Sequence, residues 1–381
     1  MLRGRLTPSG GSLLLVAALL VTACANQPPE QGDRSRAQQA ESSPDGGGFE
    51  PLEPPEDFQR VDGVVDLSSL SSRPDTLAAW QQVVQDVQDV RIPSSVDDHE
   101  QRALWLEPSG EQDQPLLVVL HSWSTRYVQW FNSPYGQWAD QQGWAMVAPD
   151  FRGAFRDPDA TGSDLAVQDV VDSVDWALQR GGVDGDRVFV VGFSGGGMMS
   201  LLMAGRHPER FAGAVSWVPV HDLEDWYAYN VEQRGGGQYA QDIAASCGGS
   251  PPRDEDAARE CEQRSPRTHL DAAREEGVPV FLGHGLSDRT VPPDHAVRAF
   301  DQLADEQDRL GEDVREAVAQ GELPDDVPGE PAEDFFDDED PQVHLARRSG
   351  PVTLVLFEGE HDMVFHPGLQ FLAALAEREA G

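Results

Sequence analysis

The chain has 381 residues, enough for one large domain or two small ones with a sizeable core. It carries 67 acidic against 28 basic side chains, for a formal charge of -39, and it contains no lysine. Such a surface repels nucleic acid and anionic lipid headgroups, which excludes both as specific partners of the folded part; self-repulsion also predicts a fold that gains stability with salt.

Arg3 and Arg5 precede the apolar run Leu13 to Val21, which is too short for a comfortable membrane span and reads as an export signal. It ends in Val21-Thr22-Ala23-Cys24, which resembles a bacterial lipobox, so residues 1–23 are expected to be removed and Cys24 to carry a diacylglyceryl group. An ordinary secretory signal that contains a cysteine is the alternative. The expected location is extracytoplasmic, lipid-anchored to the cell membrane, with membrane contact through the anchor only. Residues 24–57, rich in Pro, Gly, Gln, Ser and Glu, read as a disordered tether.

Residues 58–381 read as one folded domain. Pro74 to Val90 places Leu77, Trp80, Val83, Val84 and Val87 at helical steps and predicts an amphipathic helix. Strands are expected at Ala103 to Leu106, Pro115 to Leu120, Trp144 to Ala148, Val188 to Val191, Phe211 to Trp217, Val278 to Leu282 and Val352 to Phe357. Helices are expected between them at Pro134 to Gln142, Leu165 to Leu178, Gly195 to Gly205 and Asp294 to Leu310. Short buried strands alternating with helices predict an α/β fold, a mostly parallel, doubly wound sheet with helices on both faces. Two stretches break the rhythm. Residues 220–277 read as a lid insertion over the sheet edge; residues 311–341 read as a solvated acidic insertion, whose run Asp337-Asp338-Glu339-Asp340 offers carboxylates for a cation but reads as a solvated face.

Gly192-Phe193-Ser194-Gly195-Gly196 follows the apolar strand Val188 to Val191 and opens a helical pattern, the arrangement of a nucleophile elbow. A serine hydroxyl is inert near neutral pH unless a base takes its proton. His361, just after the last strand, can be that base, with His366 the competitor; Asp288, after the preceding strand, can orient the imidazole, with Asp294 and Asp222 as competing acids. The order Ser, Asp, His is that of the α/β-hydrolases. The N–H of Gly195 and that of Trp123, in the turn after the first long buried strand, are the expected oxyanion donors. His121 and His284, each ending a strand, read as turn supports. This chemistry calls for no cofactor and no metal.

These residues resemble the α/β-hydrolase superfamily and, within it, the catalytic domain of the prolyl oligopeptidases. The likeness spans roughly Leu104 to the C-terminus and rests on the elbow, Pro149-Asp150-Phe151-Arg152-Gly153, Asp184-Gly185-Asp186-Arg187-Val188, Trp217-Val218-Pro219-Val220-His221-Asp222-Leu223, and the His-Gly-x-x-Asp-x-x-Val-Pro run beginning at His284. It implies a serine hydrolase acting on peptide or ester bonds through an acyl-enzyme, with a small-molecule or peptide substrate. Two departures bear on substrate. Only a tether, about one helix and strands precede the hydrolase core, so no β-propeller is expected; and Ser122 stands where many relatives have glycine, with no tyrosine there to serve the oxyanion. Carbohydrate or other small esters therefore stay open as substrates, and a non-catalytic surface-binding lipoprotein is the reading from another class. In the lid, Trp226, Tyr227 and Tyr229 are candidates for substrate contact, packing being the alternative. With Cys24 assigned to lipid, Cys247 and Cys261 are expected to pair as a disulfide; zinc is the rival, lacking a second pair of ligands at suitable spacing.

Overall fold

Unbroken apolar runs such as Leu116 to Leu120 send alternate side chains to opposite faces, so they are stable only between two apolar layers. In the computed structural model, which describes residues 64–65 and 74–380 apart from 111, 252, 330–335 and 337–339, these runs form the centre of a nine-stranded sheet. The export signal, Cys24, the tether and most of the run 337–340 lie outside the described residues.

In chain order the strands are β1 (Val64–Val65), β2 (Gln88–Pro93), β3 (Glu100–Leu106), β4 (Gln114–Leu120), β5 (Ala145–Pro149), β6 (Val183–Phe193), β7 (Gly213–Trp217), β8 (Val280–Gly285), β9 (Val343–Ser349), β10 (Val352–Phe357) and β11 (Met363–Val364). The helices are α1 (Leu77–Trp80), α2 (Ser133–Gln142), α3 (Asp164–Arg180), α4 (Gly195–Arg206), α5 (Leu223–Glu232), α6 (Gln238–Cys247), α7 (Glu255–Arg264), α8 (Leu270–Glu276), α9 (Asp294–Leu303), α10 (Glu312–Val318) and α11 (Phe365–Ala380). The main sheet runs β2-β3-β5-β4-β6-β7-β8-β10-β9, while β1 pairs with β11. From β5 to β10 neighbouring strands are parallel; β3 and β9 run against their neighbours.

Leu116, Val118, Leu120, Val188 and Val190 face a layer built from α3, α4, α8 and α9, whereas Leu117, Val119, Phe189 and Val191 face α2 and α11. The doubly wound arrangement expected from the alternation is present. Helix α3 illustrates how local sequence starts an element. Ser163 caps it, accepting the Ala166 N–H at 3.0 Å, Asp164 lies in the first turn, Arg180 in the last, and Gly181 at φ 83° ends it. Loss of such a cap costs about 1 kcal/mol.

Several expected elements differ. Pro74 to Val90 is not one helix: only α1 forms, and the chain then turns into edge strand β2, where Val90 pairs with Ala103 of β3. The β-branched Val83, Val84, Val87 and Val90 give a helix little intrinsic support, and the tertiary strand pairing prevails. Helix α9 stops at Leu303 rather than reaching Leu310, because the Asp301 carboxylate accepts the N–H groups of Leu310 (2.7 Å) and Gly311 (3.1 Å) and turns the chain back. The acidic stretch is not wholly solvated: α10 buries Val318, and Phe336 is also buried. Antiparallel β9 follows it, unread because Arg347 and Arg348 interrupt any apolar run. Residues 220–277 form helices α5 to α8, packed against the α4 side of the sheet.

Candidate active site

Parallel strands in register deliver their carboxyl ends to one edge. Leu120 pairs with Gly192, Gly192 with Ser216, and Phe357 with Gly285, so the loops after β4, β6, β8 and β10 emerge side by side.

Ser194 leaves β6 at φ 58°, ψ -115°, a strained conformation for a residue with a Cβ. The Ser194 N–H donates to Trp217 O and the Met198 N–H to Ser194 O, both at 2.9 Å, holding the turn. A Cβ on Gly192 would fall 2.1 Å from Gly196 O, and one on Gly196 would fall 2.5 Å from Leu120 O. The sharp turn therefore requires glycine at both positions.

The Ser194 hydroxyl lies 2.9 Å from His361 Nε2, and His361 Nδ1 lies 2.6 Å from Asp288 Oδ2. With the imidazole proton on Nδ1 toward the carboxylate, Nε2 is left to accept from the serine. Asp288 is itself fastened: Oδ1 accepts the N–H groups of Thr290 (2.7 Å) and Val291 (3.1 Å), and Oδ2 also accepts from His284 Nε2 at 3.1 Å. All three members are about 95% buried, with relative exposures of 5 to 6%. Burial opposes charge on Asp288, but the adjacent His361 and the hydrogen bonds from His284 and His361 outweigh it and hold the carboxyl well below the usual carboxylate range. The competing residues are placed elsewhere. His366 is carried on α11, Asp294 is engaged by Arg298 at 2.8 Å, and Asp222 caps α5 and pairs with Arg267 at 2.8 Å.

The turn after β4 comes up against the elbow. A Cβ on Gly195 would stand 2.7 Å from Trp123 N, so the backbone of Trp123 is brought next to Gly195. The turn is built on polar anchors that the sequence pattern did not reveal. Buried Gln129 Oε1 accepts the Ser122 N–H at 2.9 Å and the Ser122 hydroxyl at 2.7 Å, together with the Thr125 hydroxyl. His121 stacks on Phe151 at 4.0 Å, with ring nitrogens 2.9 Å from Ser122 O and 3.0 Å from Asp150 O, which is a turn support. Asp242 of α6, also absent from the sequence reading, accepts the Trp123 indole N–H at 3.1 Å.

An aromatic wall adjoins Gly195. Trp123 packs on Phe155 (5.0 Å between centroids) and on Trp226 (4.8 Å), and Trp226 packs on Tyr239 (5.0 Å). Trp226 is buried and donates its indole N–H to Thr290 O at 2.8 Å. Tyr227 turns its hydroxyl to Ser250 Oγ at 3.0 Å, and that of Tyr229 donates to Arg289 O at 2.8 Å. Cys247 and Cys261 form a disulfide that ties α6 to α7, with their Cα atoms 5.3 Å apart.

Residues 130–322 match the prolyl oligopeptidase family. Among curated relatives, acetylxylan esterase A of Emericella nidulans is 25% identical over 143 residues, 35% of this chain and 47% of that protein. Dipeptidyl aminopeptidase BIII of Pseudoxanthomonas mexicana is 26% identical over 184 residues, 46% of this chain and 26% of that enzyme. The chain thus spans less than half the length of these relatives. Among solved structures, a Mycobacterium tuberculosis puromycin-hydrolyzing peptidase is 19% identical with a TM-score of 0.48, covering 77% of this chain and 39% of that one. The family match runs through half of the chain and contains Ser194 and Asp288, while His361 reaches them only through the fold. The chain belongs to the prolyl oligopeptidase family and has the α/β-hydrolase fold.

Proposed function

We propose that Ser194 is the nucleophile, His361 its general base and Asp288 the group that orients the imidazole, and that the chain hydrolyses carboxylic ester or peptide bonds through an acyl-enzyme. The continuous hydrogen-bonded line from Ser194 through His361 to Asp288 carries this reading. His361 Nε2 takes the hydroxyl proton as Oγ bonds to the acyl carbon, and the carbonyl oxygen gains the charge. That oxygen would lie between the N–H groups of Gly195 and Trp123, each such donor contributing about 2.7 to 4 kcal/mol. Collapse breaks the bond to the leaving group, which departs with the proton held by His361; water, deprotonated in turn by His361, then attacks the acyl-enzyme and frees Ser194.

Small carboxylic esters are the favoured substrates. Trp123, Phe155 and Trp226 are all buried, with Trp123 packed on both of the others beside Gly195, which favours a small acyl group on that side. The curated matches include acetylxylan esterases, whose names specify an ester of that kind. Peptides are the second class, supported by the family itself. Fluorophosphonate labelling of the mature domain in high salt, with Ser194→Ala as control, tests the core of the reading. Stoichiometric labelling that the variant abolishes is expected, with turnover of acetyl esters falling on the order of a millionfold in the variant. A folded wild type that resists labelling would overturn it in favour of a binding protein.

Residues 220–277 are proposed as a lid and Cys24 as a lipid-modified anchor of an exported protein. The Cys247–Cys261 disulfide supports an oxidising compartment. Metabolic labelling with a radioactive fatty acid tests the anchor: incorporation lost in Cys24→Ala supports it, and incorporation unchanged in that variant refutes it.

A further inference from the structure

The peptide between Ser122 and Trp123 is trans and is gripped at its carbonyl end. Ser122 O accepts the Thr125 N–H at 3.3 Å and lies 2.9 Å from His121 Nδ1. In a trans peptide the N–H points opposite to the C=O, so the Trp123 N–H is directed away from the His121 ring. No group among the described residues accepts it, although Trp123 is 2% exposed and buried backbone N–H groups are nearly always paired. Trp123 N is also the atom that a Cβ on Gly195 would meet at 2.7 Å.

The preceding N–H, that of Ser122, is held by one buried amide. Gln129 is fully buried just before the short helical turn Trp130–Asn132 that leads into α2. Its Oε1 accepts the Ser122 N–H at 2.9 Å, the Ser122 hydroxyl at 2.7 Å and the Thr125 hydroxyl. A peptide N–H can only donate, so the amide oxygen must face the turn. Nε2 is then buried with no hydrogen-bond partner among the described residues. A glutamate would accept the same three donors more strongly and strand no N–H. Asp288, similarly buried and accepting four hydrogen bonds, shows that this fold can hold such a carboxylate. Anchoring alone therefore favours an acid at position 129, yet an amide stands there at the cost of an unpaired buried donor.

We propose that Gln129 is a positioning residue of the oxyanion hole, whose neutral amide fixes the turn that carries the Trp123 N–H and keeps negative charge away from the oxygen that gains it. The inference deepens the proposed function and rests on it. Three backbone bonds join Ser122 N to Trp123 N, so Oε1 lies within about 7 Å of Trp123 N. A full negative charge there would oppose the oxyanion across a buried, water-poor path, whereas a carboxamide oxygen carries only a partial charge. Of the acids nearby, Asp242 reaches Trp123 at the far end of the indole, and Asp150 is paired with Arg126 at 2.6 Å.

Gln129→Glu separates the two roles, because it keeps the anchor and adds the charge. Turnover of para-nitrophenyl acetate, per serine titrated with fluorophosphonate, and the thermal midpoint are measured in molar salt. The proteins are wild type, Gln129→Glu, Gln129→Met and Gln141→Glu, the last adding the same charge at an exposed position of α2. Gln129→Glu is expected to keep or raise the midpoint, to lower kcat about tenfold or more and to leave KM within about twofold. Gln129→Met removes the acceptor, so midpoint and kcat should both fall, while Gln141→Glu should match wild type. Trifluoroacetophenone reads the oxyanion directly: Ser194 Oγ adds to its carbonyl carbon, His361 takes the hydroxyl proton and the carbonyl oxygen keeps the negative charge. Its inhibition constant should rise in Gln129→Glu by about the factor that kcat falls. Wild-type kcat in Gln129→Glu, a loss confined to KM, or an unchanged inhibition constant overturns the proposal. Should Gln129→Glu fail to fold, wild-type kcat in Gln129→Met overturns it equally. If the wild type neither cleaves the ester nor reacts with fluorophosphonate, the hydrolase reading itself fails and the proposal falls with it.

Discussion

Asp242 Oδ2 accepts the indole N–H of Trp123 at 3.1 Å, with Gln238 donating to the other carboxylate oxygen at 2.7 Å. Helix α6 thereby holds the turn whose backbone, at Trp123 N, lies against Gly195. Asp242→Ala leaves a buried indole N–H unpaired and frees the ring, so kcat is expected to fall about tenfold with little change in KM, while Asp242→Asn, which keeps an acceptor, restores most of it. In a Trp123→Phe background, Asp242→Ala should cost much less, which a double-mutant cycle on kcat measures. A rise in KM alone would remove Asp242 from this role.

Asp288 accepts four hydrogen bonds, two from backbone and two from histidines. Asp288→Asn presents an amide to His361 and disfavours the tautomer that leaves Nε2 open to Ser194. Its kcat is expected to drop about ten-thousandfold with the fold retained. His284→Leu removes one of the four donors and should have a far smaller effect; steady-state kinetics beside circular dichroism separate the two.

His221 is buried, donates from Nε2 to Gln302 Oε1 at 3.0 Å, and burial holds its pKa down to about 4. The unfolded chain binds that proton near pH 6.5 and the native state does not, so stability is fully present above about pH 6.5 and is lost as the pH falls toward 4. The loss through this group is about 3 kcal/mol at most. Burial also lowers the pKa values of His121, His207, His269 and His295, adding in the same direction. Denaturant titrations from pH 7.5 to 4 should show this slope, shallower in His221→Asn.

The Cys247–Cys261 bond closes a short loop, with a sequence separation of 14 residues. Chain entropy limits its contribution to about 3 kcal/mol. Cys247→Ser with Cys261→Ser should lower the denaturation midpoint by no more than this allows, and because α6 carries Asp242, kcat should fall with it. Reduction without effect on either quantity would show the tie to be dispensable.

With a formal charge of -39, carboxylate repulsion destabilises the compact state until counterions screen it. The midpoint of thermal unfolding is therefore expected to rise between low and molar sodium chloride, as calorimetry would show.

Sequence by itself determined the elements whose information is local. The two-sided apolar runs Leu116 to Leu120 and Val188 to Val191 specify buried strands, because only a sheet covered on both faces can take them. Gly192 and Gly196 specify the elbow, because a Cβ at either would meet backbone. The order of Ser194, Asp288 and His361 along the chain predicted which strand ends meet. Tertiary structure decided what depends on partners far apart in sequence. Val87 to Val90 read as helix until β3 was there to pair with them, and β9 has no apolar run to announce it. Gln129 and Asp242 look like ordinary polar residues; Trp123 and Asp242 are 119 positions apart, so no local pattern records that one supports the other. A hydrogen bond or a ring contact needs atoms within a few ångströms, and only the closed chain brings these residues that near.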